Sequence, residues 1–251
     1  MKVSKDHPRY RSLLVREMMS QMVRDGIVAP SGLIAHGRGE AFDYLLGEQT
    51  TDNARRAERA AVVLLLSASR PVISVNGNTA ALCAEEIVRL AEAVGARTEV
   101  NLFHRTEERL DRVVAFMEKA GGKQVLGRHA DASLPGISSD RAKCSKEGIF
   151  SADVVLVPLE DGDRTEALVR AGKKVIVVDL NPLSRSARAS SIAIIDEVTR
   201  AIPNMTAIVP GLKTDGRGQA SDPTFDNAAN LAEALEFICA RLNRLASEGK
   251  A

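Results

Sequence analysis

The stretch VVDLNPLSRSARASS, residues 177–191, gathers side chains suited to holding a polar anion. An apolar run ends at Asp179, which puts the carboxylate where a buried strand meets solvent. An acid in that position accepts hydrogen bonds from ribose hydroxyls or holds a metal. Leu180 and Asn181 follow it, and the Asn181 amide offers both a donor and an acceptor. Pro182 halts the strand, and Ser184, Arg185, Ser186 and Arg188 come next as anion donors. The planar fork of arginine matches phosphate better than a lysine point charge does. A plainer alternative stands beside this one: Asp179 makes a turn and the arginines form a solvated face. The same ambiguity holds for Glu197, Val198, Thr199 and Arg200, which either border a base or ribose or simply open a helix.

A second group lies in GLIAHGRGEAFDYLLGE, residues 32–48, which reads as a strand, a turn and a helix. Gly37 and Gly39 permit positive φ and close backbone approach. Arg38 would then reach a phosphate, with the next helix's first amides adding partial positive charge. His36 shares the turn. The stretch is neither a Walker A loop nor GxGxxG, no GxxxxGK[ST] occurs in the chain, and the HxGH of adenylyl-transferring enzymes is missing. NGNT at 76–79 reads as a similar turn, carrying Asn76 and Asn78, with Thr79 capping the helix that follows.

His36, His104 and His129 each fall at or after an expected strand end, whereas His7 lies near the N-terminus and reads as solvated. His129 with Asp131, followed by Asp140 and Arg141, is the preferred group for substrate handling, although each histidine alone is more often structural. No HExxH spacing points to a zinc hydrolase.

Segments that would position these residues alternate strand with helix. PVISV, RTEV, VVLVP and KVIVV are short apolar runs separated by amphipathic stretches of about ten residues or more, which indicates a parallel sheet covered on both faces. KQVLG and SSIAIID read as further strands. Helices are expected over about 10–25, ending at Gly26, and from Thr51/Asp52 through the alanine-rich run. Others are expected over 79–95, 105–122, 164–172 and 227–250. In the first of these, Leu14, Val15, Met18, Met19, Met22 and Val23 make the apolar face. Residues 128–150 are polar, contain Gly and Pro, and are long for a connection without structure, so a functional loop is expected there. The fold class is α/β: a three-layer, Rossmann-like, mostly parallel sheet with helical N- and C-terminal additions. It is read as a single domain over 1–251, mainly helical over 1–60, with its core at 61–215 and a C-terminal helix in 220–251. In such sheets ligands bind beyond the carboxyl ends of the strands, which singles out His36 to Gly39, Asn76 to Thr79, Asn101 to Arg105, Glu160 to Asp163 and Asp179 to Arg188.

Composition narrows the classes of function. With 34 basic and 33 acidic residues the net charge is +1, so no global field recruits nucleic acid. Aromatic residues are 3% and tryptophan is absent, which argues against base-stacking platforms. The longest apolar run is too short to span a bilayer, and the charged N-terminus lacks a signal peptide's apolar core, so no membrane role and a cytoplasmic location are expected. Cys83, Cys144 and Cys239 have no zinc spacing, and Cys83 and Cys239 read as buried thiols.

Taken together, RYRSLLVRE, GLIAHGRGEAFDYLLGE, VNGNTAAL, VNLFHRTEER, VVDLNPLSRSARAS and DEVTRAIPNM resemble the archaeal phosphopantothenate synthetase family, the 4-phosphopantoate–β-alanine ligases. The likeness runs over about residues 5–245. It implies a homodimeric enzyme of coenzyme A biosynthesis that takes ATP with Mg2+, 4-phosphopantoate and β-alanine. The products implied are AMP, pyrophosphate and 4′-phosphopantothenate, formed through an acyl-adenylate. Carried over by position, the ATP site comprises Arg16, Arg38, Asp179 to Asn181, Arg185, Ser186 and Glu197 to Arg200. Arg38 is the expected catalytic cation. His36 or His129 is expected to bind substrate phosphate or to accept a proton from the β-alanine ammonium. Asn76, Asn78, His104, Asp131, Asp140 and Arg141 are the further substrate candidates. No protein nucleophile is required by such a reaction, in keeping with the lack of a Ser-His-Asp or Cys-His arrangement. The competing readings are an ADP-forming kinase or ligase and a nucleotide-binding protein without catalysis.

Overall fold

In the computed structural model, residues 4, 6, 7, 9–159, 161–214 and 225–249 are described. Five parallel strands make the central sheet: β1 (Pro71–Val75), β2 (Arg97–Val100), β5 (Val154–Pro158), β6 (Lys174–Val178) and β7 (Ile192–Ile194), in the order β2-β1-β5-β6-β7. Each apolar run is buried on both faces, and successive side chains point to opposite sides of the pleat. Ile73, Val75, Leu156, Ile176, Val178 and Ile194 therefore join one core. Val72, Val155, Val157, Val175, Val177 and Ala193 join the other.

The first core is covered by α3 (Asp52–Ser67), α4 (Gly77–Val94), α5 (Glu107–Lys119) and α8 (Val198–Thr214), with α1 (Tyr10–Arg24) outside them. The second is covered by α6 (Gly162–Arg170), α7 (Arg185–Ala189) and α9 (Asn227–Ser247). Two helical layers thus enclose the sheet. Thr51 caps α3 by accepting from Ala54 N, and Gly26 and Gly95 close α1 and α4 with φ of 73° and 72°. Among the described residues no helix is long and apolar enough to cross a membrane.

Residues 32–48 do not form a strand and a turn. Residues 32–46 lie within one helix, α2 (Pro30–Leu46), closed by Gly47 at φ 83°. Pro30 at the first helical turn presets φ for a helix. The apolar Leu33-Ile34-Ala35 run has no sheet to enter, and Ile34 is 69% exposed. Gly37 and Gly39 are helical rather than left-handed, which costs about 1 kcal/mol each against alanine. At Gly39 the helix lies over the β6 end, and an added Cβ would meet Leu180 Cδ1 at an ordinary contact distance of 3.6 Å.

Other expectations are corrected in detail. Asn76 rather than Thr79 caps α4, accepting from Thr79 N at 3.0 Å, so NGNT opens the helix directly. KQVLG contributes only one bridge, Glu99 to Leu126. Helix α8 was masked in the sequence by Pro203 and Pro210, both inside it. On α1 only Met19 is fully buried, and Leu14 is exposed. Cys239 is exposed as well, because α9 buries Leu231, Ala234 and Ile238, and the next position turns away.

The long 128–150 connection is tied down by a buried acid. Glu99 on β2 accepts from Ser145 N at 2.8 Å and Ile149 N at 2.7 Å, and a Cβ on Gly148 would collide with its carboxylate. The segment holds a two-stranded piece, β3 (Ala132–Ser133) with β4 (Lys143–Cys144), and a single wide helical turn at Lys146–Phe150.

A second buried acid, Glu58 on α3, is 1% exposed and accepts from Asn204 Nδ2 at 3.0 Å. Burial, with Asp196 nearby, raises its carboxyl from an ordinary 4.5 to about 7. The folded value exceeds the unfolded one, so this group's stabilisation is complete below about pH 4.5 and lost as pH rises through 7. Glu58→Gln keeps the acceptor and removes the charge. It is expected to stabilise the protein at pH 8 by about 3 kcal/mol and to have little effect at pH 4.5, as read by urea denaturation. Parallel pH profiles for the two proteins would refute it.

Candidate active site

Relabelled along the chain, the sheet order is 2-1-3-4-5, and its direction of winding reverses between β1 and β5. The crevice beyond the carboxyl ends of the strands opens at such a point. Here a cleft of about 880 Å³ occupies that place. Its floor is the strand-end segments; α2 forms one wall, and Arg11, Ser12 and Val15 of α1 reach its edge. Residues 32, 35, 36, 39 and 43 of α2 face it, a stripe at helical spacing. The N-termini of α4, α6 and α8 also meet there, with Gly77, Gly162 and Val198 in the lining. Each brings unpaired first-turn amides and a partial positive charge.

Asn76 spans the switch point. Its amide nitrogen donates to Leu159 O at 2.8 Å while its oxygen caps α4. Leu159 has φ 54°, a conformation costly for a side-chain-bearing residue and held here by its neighbours. Asn78 donates to Gly32 O at 2.8 Å, and a Cβ on Gly32 would collide with the Asn78 oxygen. Both asparagines line the cleft, but their amides lock α2, α4 and β5 together.

At the end of β6 the two sequence alternatives merge. Asp179 lines the cleft and also makes the turn, accepting from Ser184 Oγ at 2.5 Å and Asn181 N at 2.9 Å. Burial pushes its carboxyl up from the ordinary value, against these two hydrogen bonds. Asn181 Oδ1 accepts from Leu183 N at 2.9 Å, and Ser184 caps α7. Arg185 is held by Asp163 at 2.7 Å and Glu166 at 2.9 Å, whereas Arg188 is exposed and does not line the cleft.

At the head of α8, Arg200 makes a fork to Asp43 of α2, at 2.9 and 2.5 Å, and reaches Asp196 at 2.6 Å. Burial alone opposes its charge, but the two carboxylates outweigh that and hold its proton more tightly than usual. Asp196 is fully buried and also accepts from Thr50 Oγ1 at 2.6 Å; Asn204 then links Thr50 to Glu58. Glu197 accepts from the Thr199 amide and hydroxyl and faces Arg11 at 3.8 Å. Glu40 accepts from Ser12, Tyr44 and Arg16. Burial by itself would raise its carboxyl, but these donors leave it below the ordinary value.

Among the described residues six arginines (11, 38, 109, 141, 185, 200) and six carboxylates (40, 43, 48, 161, 179, 197) line the cleft. The formal charges of the lining therefore balance. Cationic character is local, and most of these arginines are already held by acids. Arg38 is different: it is exposed, has no hydrogen bond or ion pair among the described residues, and faces Asp179 electrostatically.

Of the residues singled out in the sequence, His36, Arg38, Asn76, Asn78, His104, Arg141, Asp179, Leu180, Asn181, Arg185, Ser186, Glu197, Val198, Thr199 and Arg200 are brought together. Arg16 stands behind this lining, 3.2 Å from Glu40. His36 is there as a helical residue, not a turn residue. His129, Asp131 and Asp140, grouped with the site in the sequence, do not line this cleft. Asp131 accepts from Lys146 N at 2.6 Å, Asp140 pairs with Lys143 at 2.9 Å, and the His129 carbonyl accepts from Ser145. These contacts are internal to the 128–150 segment, and only Arg141 of it reaches the cleft, paired with Asp161 at 3.3 Å. Glu160 lies outside the described residues. Arg109, Glu40 and Asp43 were not singled out from the sequence; the i+3 position of Arg109 after the Thr106 cap carries no motif.

Comparison with known proteins follows this geometry. The sequence model of a family described as "Phosphopantothenate/pantothenate synthetase" matches residues 53–241. A protein of Methanosarcina mazei named 4-phosphopantoate–β-alanine ligase is 51% identical over 245 residues, 97% of this chain and 96% of its own. Proteins of the same name from Thermococcus kodakarensis (50% over 250 residues, 98% and 96%) and Methanospirillum hungatei (51% over 241 residues, 96% and 98%) are equally similar.

Proposed function

Since the chain belongs to the phosphopantothenate/pantothenate synthetase family, we propose that it is an ATP-dependent 4-phosphopantoate–β-alanine ligase of coenzyme A biosynthesis. The carrying observation is half-identity to ligases of that name over nearly their whole length. The cleft at the sheet's switch point supports it, because its size and strand-end acids suit a nucleotide.

In this reading a carboxylate oxygen of 4-phosphopantoate attacks the α-phosphorus of ATP, and the bond to pyrophosphate breaks. The β-alanine amine then attacks the acyl carbon of the adenylate, loses a proton, and AMP leaves. Both reactants are anions, so the first step is limited by repulsion unless donors meet the charge as it moves to pyrophosphate. Arg38 is the cleft cation left uncommitted at the β6 side, and the amides opening α6 and α8 add to it. The Asp179–Asn181 turn holds the ribose, and the Glu197–Arg200 segment borders the adenine. His36, which has no hydrogen bond among the described residues and faces the cleft, is the candidate to accept the ammonium proton. Among the described residues no cluster of three or more His, Cys, Asp or Glu is spaced to ligate a cation. Magnesium in this reading would enter bound to the nucleotide's phosphates and offset their charge.

A homodimer belongs to the same reading, supported by Ile34 and Leu14 exposed on the neighbouring helices α2 and α1. The test is incubation with ATP, Mg2+, 4-phosphopantoate and β-alanine, with products identified and mass read by light scattering. AMP, pyrophosphate and 4′-phosphopantothenate are expected, with unphosphorylated pantoate a poor replacement. ADP and phosphate would replace the adenylate by an acyl phosphate; no turnover would sink the ligase reading. A mass of one chain would sink the dimer.

A further inference from the structure

Two cleft arginines have no carboxylate within ion-pair distance among the described residues, and they belong to different ends of the sheet. Arg38 faces Asp179 at the end of β6. Arg109 lies beyond β2, on α5, donating to His104 O at 2.8 Å and to Ile27 O at 2.9 Å. In the order β2-β1-β5-β6 the two strand ends are three spacings apart, on the order of 14 Å. One polyanion would not need both cations; two polyanions would.

The surroundings of Arg109 form a built recess. Its Nε is shielded from solvent and has no acceptor. The two carbonyl bonds fix the plane of the guanidinium, and its other N–H donors are left for something else. Gly77 opens α4 beside it: a Cβ there would collide with Ile27 O and stand 2.6 Å from Arg109 Nη2. Glycine is therefore what allows the guanidinium to approach the first turn of α4, whose backbone departs from helical geometry further on, at Cys83. Thr79 N is taken by Asn76, whereas the Gly77 and Asn78 amides have no protein acceptor among the described residues. The His104 ring faces the same recess, set by Ser31 Oγ at 3.3 Å and by an edge contact with Phe103 at 5.0 Å. Leu82, Leu102 and Phe103 add an apolar wall.

We propose that this β2-side recess, made by Arg109, His104 and the first amides of α4, binds the phosphate of the acid substrate, so that Arg109 is what selects the phosphorylated acid. The inference rests on the ligase reading above. A guanidinium fork beside helix amides is matched to a phosphate dianion. The apolar wall suits the short branched carbon chain between that phosphate and the carboxylate. The acid then lies across the switch point with its carboxylate toward Arg38 and the nucleotide. Burial lowers the proton affinity of Arg109, in keeping with a cation kept short of a counter-ion until substrate arrives.

Titration calorimetry on the full-length protein separates the two ends. Arg109→Met is expected to weaken 4-phosphopantoate binding by roughly 100-fold and to leave ATP binding within about threefold, with Arg109→Lys intermediate. Arg38→Ala is expected to do the reverse. Equal loss of both ligands in Arg109→Met, or unchanged 4-phosphopantoate affinity, overturns the assignment. Should Arg109→Met fail to fold, Arg109→Lys and His104→Ala are measured alike, and unchanged affinity in both overturns it too. A wild-type protein that binds ATP but not 4-phosphopantoate defeats the ligase reading itself, a different result.

Discussion

Arg38→Ala is expected to lower kcat/KM for ATP by roughly 30- to 1,000-fold, about 2–4 kcal/mol of transition-state stabilisation, with the fold intact. The size follows from what the side chain is doing. Arg38 forms no hydrogen bond or ion pair among the described residues, and it lines the cleft from α2 within electrostatic reach of Asp179. Its removal breaks no hydrogen bond or ion pair among the described residues. Alanine is also the better helix former, so the melting temperature should hold or rise slightly. Arg38→Lys should recover only part of the rate, since a point charge replaces a fork. Steady-state kinetics with a parallel melt decides the matter: unchanged ATP kinetics in a folded Arg38→Ala protein would remove Arg38 from the site.

Arg200→Met should act in the opposite manner, as a failure of the scaffold. The substitution leaves Asp43 and Asp196 buried without their shared cation. Breaking a buried pair by removing one side costs about 3–5 kcal/mol, or on the order of 10 °C in melting temperature for a chain of this size. The loss should depend on pH in a defined sense. Without Arg200 the two carboxylates are left buried with no counter-ion, a cost that acid relieves by neutralising them. The deficit against wild type is therefore larger at pH 8 than at pH 5. Urea denaturation at the two pH values reads it, and a deficit below about 1 kcal/mol at both would show that the pair is dispensable. Because Asp43 lies on α2 with Arg38, catalysis should suffer as well, in proportion to how far α2 shifts.

Much of the scaffold was legible because its signals are local. PVISV, VVLVP and KVIVV are largely apolar, as strands covered on both faces must be, and glycines close the helices near the expected places, Gly95 after α4 and Gly172 after α6. The HGRG stretch misled for an identifiable reason. Two glycines around an arginine are turn chemistry in isolation, but Pro30 starts a helix and the bare faces of Gly32 and Gly39 pack on Asn78 and Leu180. Pro203 and Pro210 hid α8 in the same way, with a local breaker signal outweighed by packing against α3 and α4. The histidine and acids at 129–140 were grouped with the site because the loop is polar and long. Their partners lie within that loop.

Read alone, the residues specify the alternation of strands and helices and which side chains stand just beyond strand ends. They also carry the blocks by which the family is known. They do not specify which strand lies beside which, and that choice sets β1 against β5 and opens the cleft there. Nor do they reveal which charges are spent and which are free. Arg200 meets Asp43 across 157 positions and Asn204 meets Glu58 across 146, while Arg38 and Arg109 form no ion pair among the described residues. Pairing depends on distance in space, and burial sets its strength, so only the folded chain distinguishes an arginine that holds the frame from one left for a ligand.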